Sequence, residues 1–289
     1  VADQDQININ LAAIPGVTDT QTTDYLLAMA EERKDVLAII DLENGFIPST
    51  ENTDSFSARK GTSADTVSGV EDRDFNSSYG CAYYPWVQIQ DTSRGRRLWV
   101  PPSTIALGVL ASSAAKTALW FAPAGFNRGG LGGGSAGLRV TNVIERLTSE
   151  QRDNLYEVNV NPIASFPSEG IVVFGQKTLQ ATPSALDRIN VRRLLIYLKK
   201  QIRIIANNIL FDPNVQVTWN RFTNRVDPFL SSVKQRYGLS DYRVILDKST
   251  TTPDLVDRNI MYAKILLKPT RAIEFIALDF VITRSGVEF

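Results

Sequence analysis

The chain has 289 residues, 43% hydrophobic and 21% charged, an ordinary globular composition with material for roughly two domains at about 150 residues each. Its 31 basic and 31 acidic side chains cancel, so no net field draws it to nucleic acid or to an anionic membrane. It holds no histidine and a single cysteine, Cys81, which excludes Ser-His-Asp and Cys-His catalysis, histidine-ligated zinc and an internal disulfide.

The N-terminus, VADQDQININ, carries neither an initiator Met nor the basic and apolar regions of a signal peptide, and reads as a processed or excised piece. Alternating Ile7, Ile9 and Leu11 predict a strand, Pro15-Gly16 a turn, Thr22 to Lys34 a helix, and Val36 to Ile40 a buried strand. From Glu43 to Ser78 the chain turns polar and predicts a long surface excursion, mobile or partner-binding, with cleavage after Arg59 or Lys60. Tyr79 to Gln90 then reads as a strand with a bulge or an edge position at Pro85, and Pro101-Pro102 opens a helix over Ser103 to Lys116. Cys81, set in an apolar and aromatic strand, reads as a buried inert thiol.

Trp120 to Gly137 is glycine-rich and predicts a loop; Gly134-Ser135 is followed by Ala136, so it lacks the Lys-Ser/Thr of a phosphate cradle. Strands follow at Leu138 to Ile144, Val158 to Ile163 and Gly170 to Gly175, with a short helix after the cap-like Thr148. The strongest periodicity runs from Arg188 to Leu210, where Val191, Leu194, Leu198, Ile202, Ile205 and Ile209 form an apolar stripe. Opposite it stand Arg188, Arg192, Arg193, Lys199, Lys200 and Arg203, with no acid in the segment. A further helix from Val215 to Tyr237, bent at Pro228, precedes strands at Tyr242 to Asp247, Ile260 to Leu267 and Ile273 to Thr283. The fold class is therefore mixed α/β and α+β in two packed domains. Residues 1–160 form an α/β domain carrying the 43–78 excursion, and 161–289 a C-terminal sheet with two helices.

Several phrases stand in fixed order: Arg33-Lys34-Asp35 ahead of Val36 to Asp41; Tyr83-Tyr84-Pro85-Trp86; Val100-Pro101-Pro102-Ser103; Trp120 to Gly125 with Asn127-Arg128-Gly129; Val160-Asn161-Pro162-Ile163; Gly175 with Thr178-Leu179; Asn190 to Leu194; and Pro269-Thr270 with Glu274-Phe275-Ile276. Together they resemble the contractile tail sheath proteins of bacteriophages over nearly the whole chain.

The resemblance implies a structural subunit rather than an enzyme, with no cofactor, no metal, no nucleic acid and no membrane insertion. Its implied partners are identical sheath subunits, an inner tail tube protein and a baseplate, and its place is the virion tail, assembled in the host bacterial cytoplasm. Arms at each terminus would add strands to neighbouring sheets. Tyr84, Pro85, Trp86, Pro123, Gly125, Asn127, Arg128 and Gly129 become structural motif positions, and the basic face of the Arg188 helix becomes an interface with the tube or a neighbour. On that reading, reversing Arg192, Arg193 and Lys200 to glutamate weakens assembly and spares the monomer. The sheath of an R-type bacteriocin or a type VI secretion system is the nearest alternative, and an α/β hydrolase or nucleotide-dependent enzyme the remote one.

Overall fold

The computed structural model describes residues 3–4, 6–133 and 137–275. In chain order the elements are β1 (Leu11–Ala13), α1 (Thr20–Arg33), β2 (Leu37–Ile40), α2 (Ser63–Arg73), β3 (Gly80–Tyr84), β4 (Val87–Asp91), β5 (Arg96–Val100), α3 (Pro102–Lys116), α4 (Gly125–Arg128) and β6 (Val140–Val143). They continue with α5 (Ser149–Glu157), β7 (Val160–Phe166), β8 (Gly170–Val173), α6 (Ile189–Asn207), α7 (Gln216–Gln235), β9 (Leu239–Ile245), α8 (Pro253–Asp257) and β10 (Lys264–Pro269).

The central sheet has the order β1-β2-β3-β7-β8, parallel from β1 through β7, with β8 returning antiparallel. Strands buried on both faces read as continuous apolar runs, and successive side chains divide between two cores. Leu37, Ile39, Cys81 and Tyr83 pack with Ile105, Val109 and Leu110 of α3. Ala38, Ile40, Ala82 and Tyr84 pack on the opposite side with Leu26, Leu27 and Ala30 of α1, Val70 of α2 and Leu155 of α5. Burial pushes the Cys81 thiol up to about 12, so it stays protonated and inert.

A third core lies between α6, α7 and the antiparallel pair β9–β10, centred on Leu194, Leu198, Phe222, Val226 and Leu230. Ile189 and Ile196 of α6 belong to the first core while Leu194 and Leu198 belong to the third, so this helix joins the two bodies. Residue 160 is consequently no break in the packing: β7 begins there and pairs with β3, and β8 extends the same sheet.

The polar stretch is more ordered than its composition suggests. Thr62 caps α2 by accepting from the Asp65 amide, and Ser63, Thr66 and Val70 are buried. Phe46 is buried against Trp86 in a smaller aromatic cluster. Arg59, expected as a free cleavage point, donates from Nε to the Asp54 carbonyl (3.2 Å) and from Nη1 to the Ile47 carbonyl (3.0 Å), and stacks on Phe46. The first strand begins at Leu11 rather than Ile7. In the glycine-rich segment one helical turn, α4, interrupts the loop. At the other end, residues 273–275 are in no strand, and the rest of the expected strand to Thr283 lies outside the described residues.

Candidate assembly interface

Several of the motif residues lie at junctions between elements. Tyr84, at the end of β3, donates its hydroxyl to Glu145 Oε2 at 2.5 Å. Glu145 also accepts from the Ser63 amide (2.9 Å), the Ser63 hydroxyl (3.1 Å) and Gln151 Nε2 (2.9 Å). One carboxylate thus sits at the N-terminus of α2, where the helix dipole favours a negative charge, and ties β3, α2 and α5 together. Burial pushes the Tyr84 phenol well above its ordinary range and the Glu145 charge adds to the shift, so it remains a donor. Pro85 follows in a cis peptide, and Trp86 then sits edge-on to Phe46, ring centres 5.4 Å apart.

Pro123 is buried and Asn127 exposed on either side of Gly125, whose φ of +78° lies in the region glycine favours. Arg128 donates from Nε to the Ala122 carbonyl (2.8 Å) and lies over Phe121. Gly129 is bonded on both sides: its amide reaches the Gly125 carbonyl (2.7 Å) and its carbonyl accepts from the Val173 amide (2.8 Å). A Cβ placed on Gly129 would meet the Val173 oxygen at 2.5 Å, so the loop can lie along β8 only with glycine there.

Asn161, buried in β7, donates to the carbonyls of Ala82 (3.0 Å) and Lys177 (2.8 Å) and accepts from the Lys177 amide (2.6 Å). A carboxylate could not supply those two donors, so asparagine is required.

The six basic residues do not share one solvated face. Arg192 is buried, donates from Nε to the Ser78 carbonyl (3.1 Å) and from Nη2 to the Ser78 hydroxyl, and lies 3.9 Å over Tyr79. Arg193 is buried and donates from Nη1 to the Leu110 carbonyl (3.1 Å). Arg188 pairs with Asp187 and Glu274, Lys200 with Asp35 (3.2 Å), and Arg203 donates to Gln4 Oε1 (2.5 Å). Lys199 is exposed. The cause is geometric: α6 is covered by the central sheet and α3 on one side and by α7 on the other, so its buried arc is wider than the apolar stripe. Guanidinium groups inside that arc end on backbone carbonyls, and burial lowers the pKa of both Arg192 and Arg193.

Among the described residues, the β9–β10 pair and the segment beside it are left uncovered. The pair β9–β10 is a two-stranded sheet among the described residues, backed on one side by α7, with alternate residues of β10 exposed. Beside it residues 270–275 cross a cavity of about 700 Å³ lined by Trp120, Tyr156, Phe174, Gln176 and Tyr237. Glu274 fastens this strap, accepting from Arg188 Nε (2.7 Å), Gln176 Nε2 (3.0 Å) and the Tyr156 hydroxyl (2.9 Å). Ile273 and Phe275, on either side of it, are 84% and 81% exposed. Burial opposes the Arg188 charge, but Glu274 outweighs it and raises the Arg188 pKa. Removing the carboxylate with Glu274→Ala should free the strap: tryptic cleavage after Arg271 is expected to accelerate by about tenfold with little change in the global melting point. An unchanged cleavage rate would show that the strap is held by something else.

These elements make a mixed α/β body with a small two-stranded sheet, β9–β10, at its other end. Residues 181–283 match the phage tail sheath C-terminal domain. The chain is 36% identical over 199 residues to the tail sheath protein of Vibrio phage KVP40, covering 69% of this chain and 29% of that protein. It is 32% identical over 300 residues to the tail sheath protein of Salmonella phage ViI, covering 99% and 46%. A chain of the contracted PVC sheath complex, from an extracellular contractile injection system, superposes with a TM-score of 0.74 at 26% identity over 95% of this chain and 71% of that one. The chain belongs to the contractile tail sheath family. It spans less than half the length of these curated relatives.

Proposed function

We propose that the chain is the assembly core of a contractile phage tail sheath, a structural rather than catalytic subunit. Identical copies build a helical sleeve around a tail tube, anchored at a baseplate, and the sleeve shortens to drive the tube through the host envelope. The observation that carries this reading is the β9–β10 pair, which belongs to no larger sheet among the described residues and is backed by α6 and α7. A two-stranded sheet of this kind is marginal alone and suited to accept strands from neighbours. Curated relatives are phage proteins, which favours a phage tail over a bacteriocin or secretion device.

The work of contraction then resides in interfaces between rigid subunits that have two arrangements, since packed cores resist continuous deformation. Hydrogen exchange tests the contact directly. Amides of residues 239–245 and 264–268 on the outer strand edges should become protected when the full-length protein assembles; assembly that leaves their exchange unchanged would overturn strand addition.

A further inference from the structure

The neutral net charge hides a separation of charge on the surface. At the β4–β5 hairpin, Arg94, Arg96 and Arg97 are exposed, and Arg139 is exposed beside them on the strand-side backbone that pairs with Gln90. Of these, Arg97 shares the side of β5 that carries Trp99; Lys60 lies on that side too, its ammonium 4.7 Å from the Phe56 ring centre, and Phe56 in turn packs 5.8 Å from Trp99. The acids on these segments are Glu51, Asp54 and Asp91, of which Asp91 is spent on the turn, accepting from the Ser93 and Arg94 amides. β5 is an edge strand of its sheet, so this basic, aromatic surface is also an unpaired one among the described residues.

A surface of opposite sign lies where α1 begins and α2 ends. Asp19, Asp24, Glu43, Glu71, Asp72 and Asp74 are all exposed there. Thr20 holds Glu43 beside the start of α1 at 3.2 Å, and Arg73 brings the end of α2 onto Asp24 at 2.5 Å. Arg73 is the cation among them, but its guanidinium turns inward onto Thr23 Oγ1 (2.7 Å) and over Phe75, leaving 12% of its side chain exposed. Tyr25, next to Asp24, is 73% exposed.

We infer that the basic β4–β5 hairpin of one copy docks on the acidic α1–α2 surface of another, a head-to-tail contact. This rests on the assembly reading above. Two different, complementary patches on one chain form a heterologous interface that propagates as a helix instead of closing as a dimer. Charge complementarity sets the register and speeds encounter, and the flanking Trp99, Phe56 and Tyr25 supply apolar area that charges alone lack. Arginines that served only to guard the open β5 edge against mispairing would need no complement elsewhere on the chain.

The test is a charge exchange in the full-length protein. One variant carries Arg94→Glu with Arg97→Glu, a second carries Glu71→Lys with Asp72→Lys, and a third carries all four. Each pair alone should raise the protein concentration needed for assembly by about tenfold at low salt, with monomer melting unchanged, and the combined variant should recover most of that loss. Single-patch variants that assemble as the parent does, or a combined variant no better than either, would overturn the contact while leaving the sheath reading intact. A parent protein that forms no assembly at any salt would overturn both.

Discussion

Replacing Arg192 and Arg193 together with glutamate is expected to unfold the monomer, not merely to weaken its assembly. Both guanidinium groups are buried and end on the carbonyls of Ser78 and Leu110. Glutamate puts a desolvated negative charge against those oxygens, at a cost on the order of 3–5 kcal/mol per site. That sum matches most of the 5–15 kcal/mol typical of a whole domain. Arg193→Met, which keeps volume and removes charge, should cost only about 1–3 kcal/mol, because it loses one hydrogen bond to the Leu110 carbonyl while that oxygen keeps its place in the α3 hydrogen-bond ladder. Urea unfolding separates the cases. A double reversal with a parental midpoint would mean that α6 presents these residues to solvent after all.

The second large effect is expected at Asp41, which follows β2 and is 1% exposed. Helix α3 begins after Pro101, which has no side-chain cap to offer. Asp41 supplies it from 62 residues away, accepting from the Ser103 amide (3.0 Å) and hydroxyl (2.6 Å), and from the Gly16 amide (2.8 Å). Asp41→Ala leaves two backbone donors without that carboxylate and should destabilise by roughly 3 kcal/mol.

Its pH dependence has a definite sign. Burial raises the Asp41 pKa above its unfolded value, outweighing the three hydrogen bonds that lower it. Its contribution is therefore fully present below about pH 4 and declines as pH rises through the folded pKa. The stability gap between parent and Asp41→Ala should widen from pH 7 to pH 4. Asp35 behaves oppositely. Burial works to raise its pKa, but Arg33 and Lys200 prevail and lower it, so its contribution is present above about pH 4 and lost as acid protonates it. A gap that narrows in acid would contradict the assignment at Asp41.

Periodicity made the main helices and β2 legible because their side chains obey one local rule each. α3 and α7 begin within a residue of the expected positions, and α6 likewise. The helix α2 was missed although Thr62 and Asp65 carry its capping pattern, because eleven residues with three buried ones hold too little apolar signal. Pro162, inside a sheet strand, ran against the usual exclusion of proline from such positions.

The joints were least legible. Tyr84 and Glu145 are separated by 61 residues, and Arg188 and Glu274 by 86. Glu145 stands in no quoted phrase at all. The basic residues of α6 illustrate the converse error: a helical wheel gives angle but not the width of the buried arc, and that width is set by elements far away in sequence.

Negative-stain microscopy of the full-length protein shows whether this chain is the self-assembling core of a sheath. Long hollow sleeves of uniform diameter that persist in the presence of ATP or EDTA are expected. Uniform small particles at every concentration and salt, or sleeves that change length only with nucleotide, would contradict it.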